Sequence, residues 1–86
     1  VRFAAAVDVM PKSGISDPQG TTIERALPTL GFEGIEDVRV GKRIEFVIEA
    51  RDEQSAASLI RRACERFLSN PVIEDFNFTI RVLEPR

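Results

Sequence analysis

Three short stretches of this chain gather the side chains that could bind or react. Ser13 to Leu27 reads SGISDPQGTTIERAL and sets Asp17, Pro18, Gln19 and Gly20 at the head of a helical pattern. An aspartate before a proline suits a helix cap. Proline pushes the preceding residue off helical angles and loses no hydrogen bond at the first helical position. Thr21 with Glu24 offers a second solution, a capping box. Neither explains Gln19, nor a glycine in a first turn where alanine would be about 1 kcal/mol better. A glycine there permits close approach by another chain or by a phosphate. Asp17 would occupy the free N–H groups and repel an anion, so a protein surface fits better.

The second stretch, Val38–Arg43, reads VRVGKR and places Arg39, Lys42 and Arg43 around Gly41. It is either a solvated turn or a small cationic contact for a carboxylate or phosphate, without the glycine spacing of a P-loop. The third is Arg61, Arg62 and Arg66 around Glu65, a charged helix face. The carboxylate pairs Glu36-Asp37 and Glu74-Asp75 begin two strand patterns. Neighbours on a strand point to opposite faces, so neither pair forms an acid–base couple. Cys64 sits beside Ile60, Ala63 and Phe67 and reads as packing.

The chain has no His, Tyr or Trp. A Ser-His or Cys-His pair and any histidine metal site are thereby excluded. An independent enzyme is not expected; no catalytic residue and no metal site are assigned, and no cofactor is expected on this chain. A net charge of -2 argues against a nucleic-acid binder, which needs a basic face. No 18-residue apolar run or secretory pattern is present, so no membrane partner is expected. One cysteine cannot form an internal disulfide, which fits a cytoplasmic location. The 86 residues make one domain, 1–86, which buries only about 60–65% of its unfolded surface. Self-association would help it.

The elements that must hold these residues follow from periodicity. Arg2–Met10 alternates, with Phe3, Ala5, Val7 and Val9 on one face, and predicts a strand. A helix runs from Pro18 or Thr21 to about Leu30, carrying Ile23, Leu27 and Leu30, with Pro28 shortening its last turn. Strands are expected at Glu36–Val40 and Ile44–Ala50, joined across Gly41-Lys42. Asp52 caps a second helix to about Ser69, ended by Asn70-Pro71, and a last strand spans Ile73–Leu83 before a fraying tail. IEDVRV after the first helix echoes IEDFNF after the second. The order β-α-β-β-α-β predicts an α+β, ferredoxin-like two-layer sandwich, an antiparallel sheet with both helices on one face.

The central hairpin carries a conflict. A two-residue turn at Gly41-Lys42 puts Val38 and Val40 opposite Glu45 and Arg43; pairing by apolar pattern instead sets Val40 against Ile44 through a longer loop or bulge. In the first case Val38, Val40 and Val47 join Ala4 and Ala6 on the sheet face away from the helices. That face or a strand edge is expected to meet another copy, as a homodimer or tetramer.

Taken together, PKSGISDPQGTTIERAL, IEDVRVGK and NPVIEDF resemble the PurS family, the small subunit of phosphoribosylformylglycinamidine (FGAM) synthase. The resemblance covers nearly the whole chain; Pro28 departs from it. It implies a non-catalytic subunit of an ATP- and glutamine-dependent C–N ligase in purine biosynthesis. In that assembly a large synthetase subunit uses ATP and Mg, and a glutamine amidotransferase subunit releases ammonia. The small subunit would bridge the two and assist ammonia transfer. Asp17, Pro18, Gln19, Gly20, Arg39, Gly41 and Lys42 would then be partner-facing.

A rival from another class is an ACT-like regulatory module, which shares the element order and binds an amino acid near the first strand–helix loop. A free amino acid raising the melting temperature would favour it. An acylphosphatase-like enzyme lacks its arginine loop here, an RNA-binding sheet its exposed aromatics, and a metallochaperone its paired cysteines.

Overall fold

The computed structural model describes Val1–Leu83; the Glu84-Pro85-Arg86 tail lies outside the described residues. Alternation makes β1 (Arg2–Pro11) and buries Phe3, Ala5, Val7 and Val9. β1 is the centre of a three-stranded antiparallel sheet, flanked by β2 (Lys42–Glu49) and β3 (Glu74–Val82). Val7 stands between Ile44 and Phe78, and Ala5 between Phe46 and Ile80. One face of the sheet is therefore apolar across all three strands.

Helix α2 (Glu53–Ala63) covers that face with Ala56 and Ile60, and Cys64 follows them into the core. Asp52 starts it: its Oδ1 accepts the Ser55 N–H at 2.7 Å. The last turn widens to π geometry over Cys64–Leu68. There the Ser69 N–H and hydroxyl both donate to the Cys64 carbonyl, at 3.0 and 2.9 Å, so this carbonyl at the buried helix end is satisfied twice. Burial pushes the Cys64 thiol above its ordinary pKa, consistent with packing rather than reactivity. α1 (Pro18–Ala26) is short as expected: Pro28 opens a 3-10 turn, Pro28–Leu30, which Gly31 ends at φ 91°.

The architecture is the expected α+β, ferredoxin-like arrangement with two departures. Glu36–Val40 is not a strand, and no hairpin forms at Gly41-Lys42. β2 begins at Lys42 and pairs with β1, while Gly41 lacks the positive φ that Gly14, Gly31 and Gly34 have. Gly41 is needed for space instead: a Cβ there would collide with the Met10 sulfur and the Val9 carbonyl. The 36–40 segment thus runs on into β2 rather than folding back along it.

The second departure follows from the first. α2 packs on β3, whereas α1 has no comparable packing on any strand, so a single helix covers the sheet. α1 and the 36–40 segment form an arm beyond the end of β1. The chain is correspondingly long, 51 × 30 × 15 Å with a radius of gyration of 16.9 Å. A compact chain of this size would have about 12 Å. Asp37 turns the chain at φ 58°, and the twelve residues that follow it into and along β2, 38 to 49, span about 40 Å when extended, which makes up most of the long axis. Ile23 and Leu30 on the arm are 43% and 69% exposed.

The core is small enough that one side chain matters. Ile60→Ala should lower unfolding free energy by about 2–5 kcal/mol, measured by denaturant titration, since Ile60 is 1% exposed at the centre of the cluster. A loss under about 1 kcal/mol would mean that α2 is not the sheet's cover.

Candidate functional site

The arm is built on the Asp17 carboxylate. β1 gives way to a loop held at its start by the Lys12 N–H to Ile73 carbonyl bond at 2.8 Å and by a 2.6 Å Lys12–Asp75 ion pair. Pro18 then begins α1, with Asp17 as cap. Asp17 Oδ1 accepts the Gly20 N–H at 3.0 Å, and its main-chain carbonyl accepts the Thr21 N–H at 2.9 Å. Of the two capping solutions, the structure adopts Asp17.

Asp17 Oδ2 reaches across 23 residues to accept the Val40 N–H at 2.8 Å. Seven residues, or about two helical turns, further on, Glu24 Oε1 accepts the Val38 N–H at 2.9 Å. Glu24 therefore does not close a capping box; it holds the segment. Two carboxylates of α1 replace the neighbouring strand that Val38 and Val40 would otherwise need.

Gly20 completes the docking. It is buried, and a Cβ there would strike the Val38 carbonyl and lie 2.6 Å from Asp17 Oδ2. The sequence suggests close approach by another chain or a phosphate; the approaching group is Val38 of the same chain. Asp17 is held below the usual carboxylate range, first by the Gly20 N–H and next by the Val40 N–H, with the Arg39 charge adding a smaller effect.

The expected contact residues come together in part. Asp17 and Gly20 meet Val38 and Val40 directly, so two motifs distant in sequence make one surface. Pro18 and Gln19 are exposed beside them and, with Thr22, Ile23 and Val40, line an open, mainly apolar hollow. Arg39 and Lys42 are exposed, and Gly41 is tucked against β1. On the other side a cleft of about 580 Å³ is walled by Lys12, Ser13, Asp17, Glu24 and Arg39 among others.

The expected oligomer face is divided. Ala4 stands opposite Val47 and Arg81, and Ala6 opposite Glu45 and Thr79. These make a small-residue patch bordered by charge, on the sheet face away from α2. Val38 and Val40 are elsewhere, on the arm, because the hairpin that would have brought them alongside does not form. Periodicity missed Glu24 and the Met10–Gly41 approach. The signals available were a second carboxylate about two turns beyond the cap and a glycine without a turn to make. Among the described residues no group of three or more His, Cys, Asp or Glu side chains could hold a metal ion, and no helix is long and apolar enough to cross a membrane.

Removing the grip should free the segment selectively. Asp17→Ala is expected to accelerate hydrogen exchange at the Val40 amide while leaving Val7, in the sheet, unchanged. Gly20→Val should do the same at Val38 by steric displacement. Acid should mimic Asp17→Ala. A carboxylate held below its ordinary value of 3.8 stabilises the docked segment fully above that pH, and loses the effect as pH falls through the lower folded value. Equal Val40 protection in wild type and Asp17→Ala would show that the carboxylate does not hold the arm.

Residues 4–82 match the family model described as PurS: phosphoribosylformylglycinamidine (FGAM) synthase. The chain is 40% identical over 82 residues to the phosphoribosylformylglycinamidine synthase subunit PurS of Synechocystis sp., covering 95% of this chain and 82% of that one. It superposes on the crystal structure of the Thermotoga maritima PurS subunit with a TM-score of 0.85 at 34% identity, over 94% of this chain and 93% of that one. It is equally similar to a chain in the structure of PurLQS from Thermotoga maritima, at a TM-score of 0.85 and 34% identity, covering 94% and 99%. With matches spanning the arm as well as the sheet, the chain belongs to the PurS family of FGAM synthase subunits.

Proposed function

We propose that this chain is the non-catalytic coupling subunit of its FGAM synthase, bridging the ATP-dependent synthetase subunit and the glutaminase subunit and assisting ammonia transfer between them. The carrying observation is the near-complete match to a chain of the PurLQS assembly. The geometry supports a contact role: the cap loop and the 38–42 strip form one exposed surface, fixed from below by main-chain bonds and offering Pro18, Gln19, Arg39 and Lys42 outward. In this reading ATP and Mg are handled by the synthetase subunit, not by this chain. We place the assembly in the cytoplasm by the same reading, Cys64 being a free, buried thiol. The chain acts as a homodimer or tetramer, which the exposed apolar residues of the arm favour.

Reconstitution tests the role. Glutamine-dependent FGAM formation by the synthetase and glutaminase subunits from the same source should require this chain, and equal activity without it would remove the assignment. Gln19→Ala should weaken assembly with its partners by about tenfold, or 1.4 kcal/mol, without altering the circular dichroism of the isolated chain. Light scattering should show a dimer or larger species at micromolar concentration; a monomer would remove the oligomer from this reading.

A further inference from the structure

We infer that Phe67 and Val72, where α2 ends, form an apolar knob that seats in a carboxylate-rimmed apolar pocket of a catalytic subunit, the one that does not receive the arm. The inference rests on the coupling reading and supplies the second contact that a bridge requires.

The way α2 ends is the first support. Regular helical spacing from Ile60 and Cys64 would put Phe67 on the buried face, seven residues beyond the one and three beyond the other. Instead the Ser69 N–H bonds the Cys64 carbonyl five residues back, and the turn takes in one residue more than an α turn. Leu68 takes the inward place, packed on the core, and Phe67 turns out to 86% exposure. A small core would gain from that ring, and the wide turn withholds it. Single turns of this geometry recur at functional sites.

Val72 is presented by a turn that is equally fixed. Asn70 Oδ1 accepts the Val72 N–H at 3.1 Å, and Glu74 Oε1 accepts the Asn70 N–H at 2.7 Å. The Asn70 carbonyl accepts the Ile73 and Glu74 N–H groups at 3.0 and 2.7 Å. Pro71 adds its locked φ. Val72 is thereby held at 80% exposure. Five residues separate it from Phe67, so the two lie within about 18 Å. Apolar side chains held outward before a partner arrives lose little freedom on binding, and aromatic anchors carry much of an interface's energy.

Charge says what the knob meets. Arg66 adjoins Phe67, and Arg62 lies one helical turn before Arg66. Both are exposed, and among the described residues neither enters an ion pair. Glu65 offsets only one of the two charges, so the complementary rim is acidic. Placement says which partner. The arm runs into β2 on one side of β1, whereas the turn carrying Val72 leads into β3 on the other. A single partner on the arm's surface would leave the knob in water; one partner at each side makes a bridge.

The test uses the reconstituted assembly, with a photo-crosslinking benzophenone amino acid at position 67 in one preparation and at position 19 in another. Illumination should join position 67 to one catalytic subunit and position 19 to the other. The position-67 product should map to an apolar peptide flanked by carboxylates. Capture of the same subunit from both positions, capture of another copy of this chain from position 67, or no product from position 67 would overturn the knob and leave the coupling role standing. An assembly that does not form with the unaltered chain would overturn both. As a second measurement, Phe67→Ala should raise the concentration of this chain giving half-maximal glutamine-dependent FGAM formation about tenfold or more. Its thermal unfolding should not change, the ring being exposed. Arg66→Glu should raise the same concentration by opposing the acidic rim. An unchanged half-maximal concentration for Phe67→Ala would overturn the knob.

Discussion

Much of this fold depends on a carboxylate divided between two chain segments. One oxygen of Asp17 satisfies an N–H that every helix start leaves unpaired; the other satisfies an N–H that a strand would normally give to its neighbour. The helix therefore begins where the later segment docks, and the segment docks where the helix begins. Glu24 repeats the second half of the arrangement about two turns along. Because these donors are spent on α1, the residues before β2 have no reason to fold back into a hairpin, and the molecule lengthens.

That constraint divides the chain into a body and an arm with different physics. The body is a conventional hydrophobic unit: three strands, one amphipathic helix, and a cluster around Val7, Val9, Ile60 and Cys64. The arm has almost no buried apolar surface of its own and is organised by charge-assisted hydrogen bonds to the main chain. For a member of a family of FGAM synthase subunits this is a workable division. The body supplies the fold, and the arm presents a surface whose apolar residues are not consumed internally.

Most of the body was legible in the sequence. The alternation from Arg2 to Met10, the stripe on α2 and the Asp52 cap are local patterns, and each produced the expected element. The strand at Glu36–Val40 was not, because its pattern is equally good for any extended segment and cannot say what it lies against. Val38 and Val40 look like half of a hairpin when only Ile44 and Phe46 are considered as neighbours. Their actual neighbours are carboxylates 14 and 23 residues away, reached only once α1 is placed. Gly41 misled for the same reason: a glycine between two strand patterns suggests a turn, whereas here it clears room for Met10. At the site, Asp17 and Pro18 were legible as a cap, and Gln19 as unexplained by it. Gly20 was recognised as a place of close approach, but the approaching group was invisible without the fold.

The docking of the arm has a consequence for how such a surface can change over time. Asp17 and Glu24 grip only the peptide backbone of Val38 and Val40, and Gly20 yields only to a carbonyl. Proline at 38 or 40 apart, since it has no N–H to offer, none of these bonds depends on which side chains residues 38 to 40 carry. Drift at those positions can therefore reshape what the surface recognises while its placement stays fixed, as interchangeable bits fit one chuck. Freedom at the gripped positions comes with rigidity at the gripping ones. Two carboxylates and one glycine must persist for the rest to vary.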